Sequence, residues 1–245
     1  MQKSNKVLKL VVLSMLVAVG VVISPLLRVE GMCPMAHFIN IVCSAFLGPW
    51  YSLACAVTIG IIRMALMGIP PIALTGAIFG AFLSGIFYRM SKGNLLLAVL
   101  GEVIGTGIIG AIASYPVMSF FWNKEGLTLL FYVPSFICGT LIGGSIAFAF
   151  LKKLAGTGML EKFQTMLGTE RYTYTSSIFG NALTIAAFGV IGYVIVQILK
   201  DMFSLTSPVW PWVSYALIVV FAAFALTYWI YKSVRSRQYD SRICK

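Results

Sequence analysis

The chain has 245 residues, of which 60% are apolar and only 10% charged, with a net charge of +11. A soluble domain of this size carries about 25% charged residues, and a mean hydropathy of +0.95 leaves too little polar surface to face water, so lipid is the expected solvent. The positive charge forms no basic stripe with interleaved aromatics of the kind that binds nucleic acid; it sits at the ends of apolar runs, where it meets headgroups and sets orientation.

The N-terminal segment carries Lys3, Lys6 and Lys9 ahead of an apolar stretch from Leu10 to Leu27. That stretch is longer than the about 7–15 residues of a signal-peptide core, no A-x-A site follows, and Glu30-Gly31-Met32-Cys33 is a poor lipoprotein site. It reads as an uncleaved first span. Further spans are expected at 35–48, 50–67, 71–89, 94–120, 128–151, 174–199 and 210–231, after a first at 7–27, giving an all-α polytopic bundle of eight.

The second and third spans are separated only by Gly48-Pro49. Proline lacks a donor and blocks helix continuation, so the pair reads as two short helices around a tight turn; one long kinked helix would instead make seven spans. Charge arbitrates. With eight spans and both termini cytoplasmic, all the basic residues except Arg28, Arg63, Lys124 and Lys200 fall inside, whereas seven spans would split them. The positive-inside rule favours the turn and a plasma-membrane protein of that orientation. Trp50-Tyr51, Trp122, Trp210, Trp212, Tyr228-Trp229 and Tyr231 fall near span ends, as an interfacial belt does.

The segment 153–173 is the longest polar stretch and reads as a cytoplasmic linker with a short amphipathic helix at Met159–Leu167. It separates a six-helix core, 1–152, from a two-helix tail, 174–245, with a basic cytoplasmic end.

The motifs exclude more than they assign. Gly105-Thr106-Gly107-Ile108-Ile109-Gly110 matches a dinucleotide fingerprint, but it lies inside an apolar helix with no strand before it and no water-facing helix N-terminus. Glycine spacing by four in Gly76-x-x-x-Gly80-x-x-x-Ser84, Gly101-x-x-x-Gly105 and Gly139-x-x-x-Gly143-x-x-x-Ala147 reads instead as close helix packing. The first span carries Ser14-x-x-x-Ala18 and Gly20-x-x-x-Ser24, smooth faces for another helix, either within the chain or from a partner. The cysteines, Cys33, Cys43, Cys55, Cys138 and Cys244, form no CxxC and read as small packing residues rather than a metal or disulfide set. There is no P-loop, and one histidine with one clearly intramembrane carboxylate does not make a catalytic triad or a proton relay. The chain reads as no enzyme, with no cofactor or metal of its own.

The sparse polar residues within spans are then the candidates for function. His37 and Asn40 lie at i, i+3 near the outer end of the second span. Arg63 lies one turn from the outer end of the third, where snorkelling to headgroups is the competing role. Glu102 lies about 12 Å into the fifth, with Thr106 one turn on and Tyr115 in its outer third. Such groups cost several kcal/mol unless paired or wetted.

The blocks Pro34-Met35-Ala36-His37-Phe38-Ile39-Asn40, Leu47-Gly48-Pro49-Trp50-Tyr51, Arg63, and Gly101-Glu102-Val103-Ile104-Gly105-Thr106-Gly107-Ile108-Ile109-Gly110, in that order, resemble the ThiW family. Its members are substrate-binding S components of energy-coupling factor (ECF) transporters, assigned to the thiazole precursor of thiamine. The resemblance covers residues 5–165. It implies an outward-facing pocket, docking through the first helices onto a transmembrane T component, and two cytoplasmic ATPase subunits that hydrolyse the ATP and drive toppling of the S component. It also gives Ser14 and Ala18 a partner-docking role, with Ser in place of the usual first Ala, and leaves the two tail spans as a departure from the family's pattern. The substrate implied is hydroxyethylthiazole. His37 and Asn40 would bond its ring nitrogen or hydroxyl, Glu102 and Thr106 would hold the pocket floor, Tyr115 would supply a ring face, and Arg63 would fix the carboxylate or a loop. An S component for another vitamin, or a membrane assembly protein without a small-molecule site, are the competing readings.

Overall fold

The computed structural model describes residues 2–26, 28, 32–172, 178–202 and 209–243. Leu27, Glu30, Gly31, 174–177, Cys244 and Lys245, which figure in the expectations above, lie outside the described residues, as do the side chains of Lys3, Arg237 and Arg242. Among the described residues the elements are helices: α1 Gln2–Ile23, α2 Pro34–Leu47, α3 Pro49–Met67, α4 Ile72–Met90, α5 Leu95–Phe121, α6 Val133–Gly156, α7 Met159–Leu167, α8 Ile178–Met202 and α9 Val209–Ile243. Seven are long and apolar enough to cross a bilayer. The chain forms an all-α polytopic membrane bundle, and its contacts fall into two compact units, Met1–Thr175 and Ser176–Lys245.

The expected pair of helices around Gly48-Pro49 is present as α2 and α3, and α2 is the short one. Its 14 residues reach about 21 Å at 1.5 Å each, short of a hydrocarbon core of about 30 Å. It is apolar yet enclosed: Ala36, Ile39, Ile41, Val42, Cys43, Ala45 and Leu47 are all buried. Gly48 ends it at φ +88, and Pro49 opens α3 at once. The reversal is antiparallel, since Ser44 Oγ meets Ser52 Oγ at 2.9 Å and Ser52 Oγ donates to the Asn40 carbonyl at 2.8 Å. A helix walled in by its neighbours need not match the membrane, and its shortness leaves room above its N-terminal end.

The α4–α5 contact shows how glycine spacing sets a helix path. A Cβ on Gly101, Gly105 or Gly110 would lie 2.6, 2.5 or 2.6 Å from the carbonyl oxygens of Leu83, Phe79 and Gly76 respectively. Backbone therefore lies on backbone along three turns. The spacing changes from four residues to five because α5 is π-helical from Val103 to Gly110. The wider turn brings Gly110 onto the seam and turns Ile109 outward, where it is exposed. A π turn of this kind is a frequent mark of a functional site. On α6, Gly139 and Gly143 do the same for the start of α2: a Cβ on Gly143 would collide with the Pro34 carbonyl and come within 3.0 Å of His37 Cβ.

The end of the first unit that carries the Gly48 turn is closed by α7. Its amphipathic pattern buries Leu160, Gln164 and Leu167, so the short amphipathic helix expected in the linker is packed against the bundle. Gln164 Nε2 donates to the Ala45 carbonyl at 2.9 Å and the Tyr88 hydroxyl at 3.1 Å, and Thr169 Oγ1 donates to the Phe46 carbonyl at 3.0 Å. Tyr172 stacks edge-on to Tyr88; partial burial, then the neighbouring Glu170 carboxylate, pushes its phenol up to about 12, and the phenol donates to Glu170. Lys9 and Arg89 reach this same end, through Gly168 and Glu170.

In the second unit α8 and α9 pair through Gly189, which lies under Phe221, and through Asn181 Nδ2, which donates to the Tyr228 hydroxyl at 3.0 Å. α9 runs twelve residues beyond the expected end of its span, to Ile243.

Replacing Gly105 with Ala should lower the thermal unfolding midpoint, because the added methyl meets backbone that cannot step aside; overpacking of this kind costs about 1–3 kcal/mol. Gly156→Ala, where nothing lies within 4 Å of the new Cβ, should leave it unchanged. Equal midpoints for both in detergent would contradict the seam.

Candidate functional site

Above the N-terminal end of α2 lies a hollow of about 490 Å3, its open mouth included. Arg28, Met32 and Cys33 line it from the segment between α1 and α2, Ala36 and His37 from α2, and Arg63 from α3. Ile69 follows α3, Ile72, Ala73, Gly76 and Ala77 come from α4, Thr106 from α5 and Phe136 from α6. Apolar walls with a few convergent polar groups are the usual make-up of a small-molecule site.

The floor is organised by Glu102, which is fully buried. Its Oε1 lies 2.9 Å from His37 Nδ1, 3.0 Å from Asn40 Nδ2 and 3.1 Å from Thr106 Oγ1. Three donors from two helices converge on one oxygen. As a carboxylate Glu102 would only accept; paired with one, His37 donates from Nδ1, and Nε2, beside Gly139, is the other edge of the ring. Glu102 Oε2 is buried and has no partner among the described residues.

Local sequence makes this cluster possible. Thr106 is one turn beyond Glu102, so its hydroxyl reaches back along α5. Gly80 of α4 gives both of them room: a Cβ there would collide with Thr106 Oγ1 and lie 2.8 Å from the Glu102 carboxyl. Gly76 admits the Phe136 ring, whose edge would sit 2.7 Å from a Cβ at that position. Below, Ser44 Oγ bridges Ser52 Oγ and the Ala81 carbonyl, the latter at 3.0 Å, which ties α2 to α3 and α4.

The structure thus brings together His37, Asn40, Glu102 and Thr106, and sets Arg63 on the same hollow. Asn40 lies beneath the lining rather than in it, held by Glu102 and, at 3.5 Å, by the Ala77 carbonyl. Arg63 is 3% exposed. It is enclosed by the bundle instead of snorkelling, with Nε lacking a partner and no carboxylate within 4.0 Å among the described residues.

Tyr115, the expected ring face, is not among the residues lining the hollow; the aromatic side chain there is Phe136. Sequence reasoning missed Phe136, Met32 and Cys33, which are apolar or sulfur-bearing residues among many others and carry no distinguishing signal. Arg28 was legible only as a loop charge.

Ser14 and Ala18 lie far from this cluster in role: both are exposed on α1, on one face with Val7, Leu10, Val11, Met15, Val19 and Val22. Ser14 Oγ satisfies itself on the Leu10 carbonyl at 2.9 Å. Gly20, by contrast, packs inside the chain on Ile59 and Ile39.

A family model described as thiamine-precursor transporter protein (ThiW) matches residues 10–157. No curated protein and no solved structure matches the chain.

Asn40→Leu keeps the branched shape but removes one of the three groups that bond the buried Glu102 carboxyl. It should destabilise the protein by about 1–3 kcal/mol, seen as a lower thermal midpoint, whereas Lys162→Leu on the exposed face of α7 should not.

Proposed function

The chain belongs to the ThiW family of thiamine-precursor transporter proteins, and on that premise we propose that it is the substrate-binding S component of an ECF transporter, taking up the thiazole precursor of thiamine. The observation that carries this reading is the convergence of His37, Arg63 and Thr106 on one hollow, over a floor built by Glu102. Phe136, Ile69, Ile72 and Ala73 of the lining would receive a five-membered heteroaromatic ring. With His37 Nδ1 and the Thr106 hydroxyl donating to Glu102, His37 Nε2 and the Thr106 oxygen are left as acceptors, and they would receive the hydroxyl hydrogen of its side arm. Asn40 and Glu102 act by holding His37 and Thr106 in place.

Energy would come from partners. The outward apolar stripe on α1, smoothed at Ser14 and Ala18, is suited to a transmembrane T component, since small residues let helices approach closely where no hydrophobic force drives them together in lipid. Two ATPase subunits would act from the cytoplasmic side. The basic end that carries Lys9, Arg89 and α7 would face the cytoplasm of a plasma-membrane protein, and the hollow would open outside.

Purified full-length protein should bind 5-(2-hydroxyethyl)-4-methylthiazole in calorimetry. His37→Ala and Glu102→Gln should each weaken binding roughly tenfold or more, as loss of a buried hydrogen-bond partner does. Binding unaffected by both variants would remove the hollow as the site. Ser14→Leu with Ala18→Leu should retain binding but abolish uptake by cells that co-express the T component and ATPases; uptake at the unaltered rate would dismiss the α1 face as the docking surface.

A further inference from the structure

Resting on the thiamine-precursor reading, we infer that the hollow is made for an acidic form of that precursor: a small heteroaromatic ring whose side arm ends in an oxyanion, received by Arg63. Arg63 carries a permanent charge and is 3% exposed as a residue. Nε has no partner, and no carboxylate lies within 4.0 Å among the described residues. A buried charge left in that state is strongly unfavourable, and the surface it does present lines the hollow. A ligand that brings the counter-charge completes it.

Glu102 does not fill that role. Its Oε1 is taken by His37, Asn40 and Thr106, and neither of its oxygens pairs with Arg63. Arg28 lines the same hollow, so among the described residues the lining contains two arginines and no carboxylate. Walls of low dielectric around one sign of charge concentrate the attraction for an anion. The planar guanidinium fork matches a phosphate monoester or a carboxylate in two parallel hydrogen bonds. A neutral alcohol could accept from Arg63 but would leave its charge uncompensated in the bundle.

The test is calorimetric titration of the full-length protein in nanodiscs with three probes: 5-(2-hydroxyethyl)-4-methylthiazole, its phosphate ester, and 4-methylthiazole-5-carboxylate. At least one anion should bind about tenfold or more tightly than the alcohol, the gain expected of a charge-assisted hydrogen bond, and the tighter anion tells phosphate from carboxylate. Arg63→Met should narrow the anion-to-alcohol ratio to within about threefold, and Arg63→Lys should keep part of it. Alcohol binding as tight as or tighter than both anions would overturn the inference while leaving the thiazole reading intact. A ratio unchanged in Arg63→Met would overturn it too, and binding of none of the three would remove both readings.

Discussion

One buried oxygen, Glu102 Oε1, holds the candidate site together. It accepts from His37 and Asn40 of α2 and from Thr106 of its own helix. In a chain solvated by lipid, no water is at hand to compensate a carboxylate at that depth, and an isolated one would cost several kcal/mol. Three converging donors offset that cost only while α2 and α5 keep their register. The polar cluster is therefore a positional constraint as much as a chemical one: it selects the helix arrangement in which all three donors reach the same atom.

The glycines follow from that constraint. Hydrophobic burial drives helices together only weakly when the surroundings are as apolar as the helices, so close packing and hydrogen bonding must do it. Gly80 leaves the space that the Glu102 carboxyl and Thr106 hydroxyl occupy, and Gly101, Gly105 and Gly110 let α5 lie on the α4 backbone on either side of that point. Gly139 and Gly143 press α6 onto the start of α2 and hold His37 from behind. The π turns serve both requirements, keeping Glu102 and Thr106 inward while the seam moves on to Gly110.

Much of this is legible in the chain because lipid makes polar residues rare. His37, Asn40, Glu102 and Thr106 stand out among apolar neighbours, and a common destination follows from the cost of leaving any of them alone. Gly101 and Gly105 are readable by their spacing, whereas Gly110 is not, since a five-residue step becomes regular only in a π turn. Arg63 has two physically sound destinations near a helix end, headgroups or interior, and nothing in α3 decides between them. Phe136 is one phenylalanine among 17. The amphipathic pattern of Met159–Leu167 announces a helix, but its docking depends on Gln164 finding Ala45 and Tyr88, residues 119 and 76 positions away.

The arrangement below the hollow bears on how a bound molecule could leave. From the Glu102 cluster the interior continues through Ser44, Ser52 and the Ala81 carbonyl, then past the buried pair Cys43 and Cys55 to Gln164, Ala45 and Tyr88. Opening a passage along that line would unmake several buried hydrogen bonds together, each costing about 1–3 kcal/mol when a partner is left unsatisfied, and would part helices packed backbone to backbone. The mouth, by contrast, is bordered by Arg28, Met32 and Cys33 of a non-helical segment and by Ile69 between α3 and α4. On the proposed reading, a ligand that enters by that mouth would leave by it at far lower cost, and release on the opposite side of a membrane would call for the unit to change its orientation in the bilayer rather than to open a channel through itself, which would place the work of transport on the partner that grips its outer face.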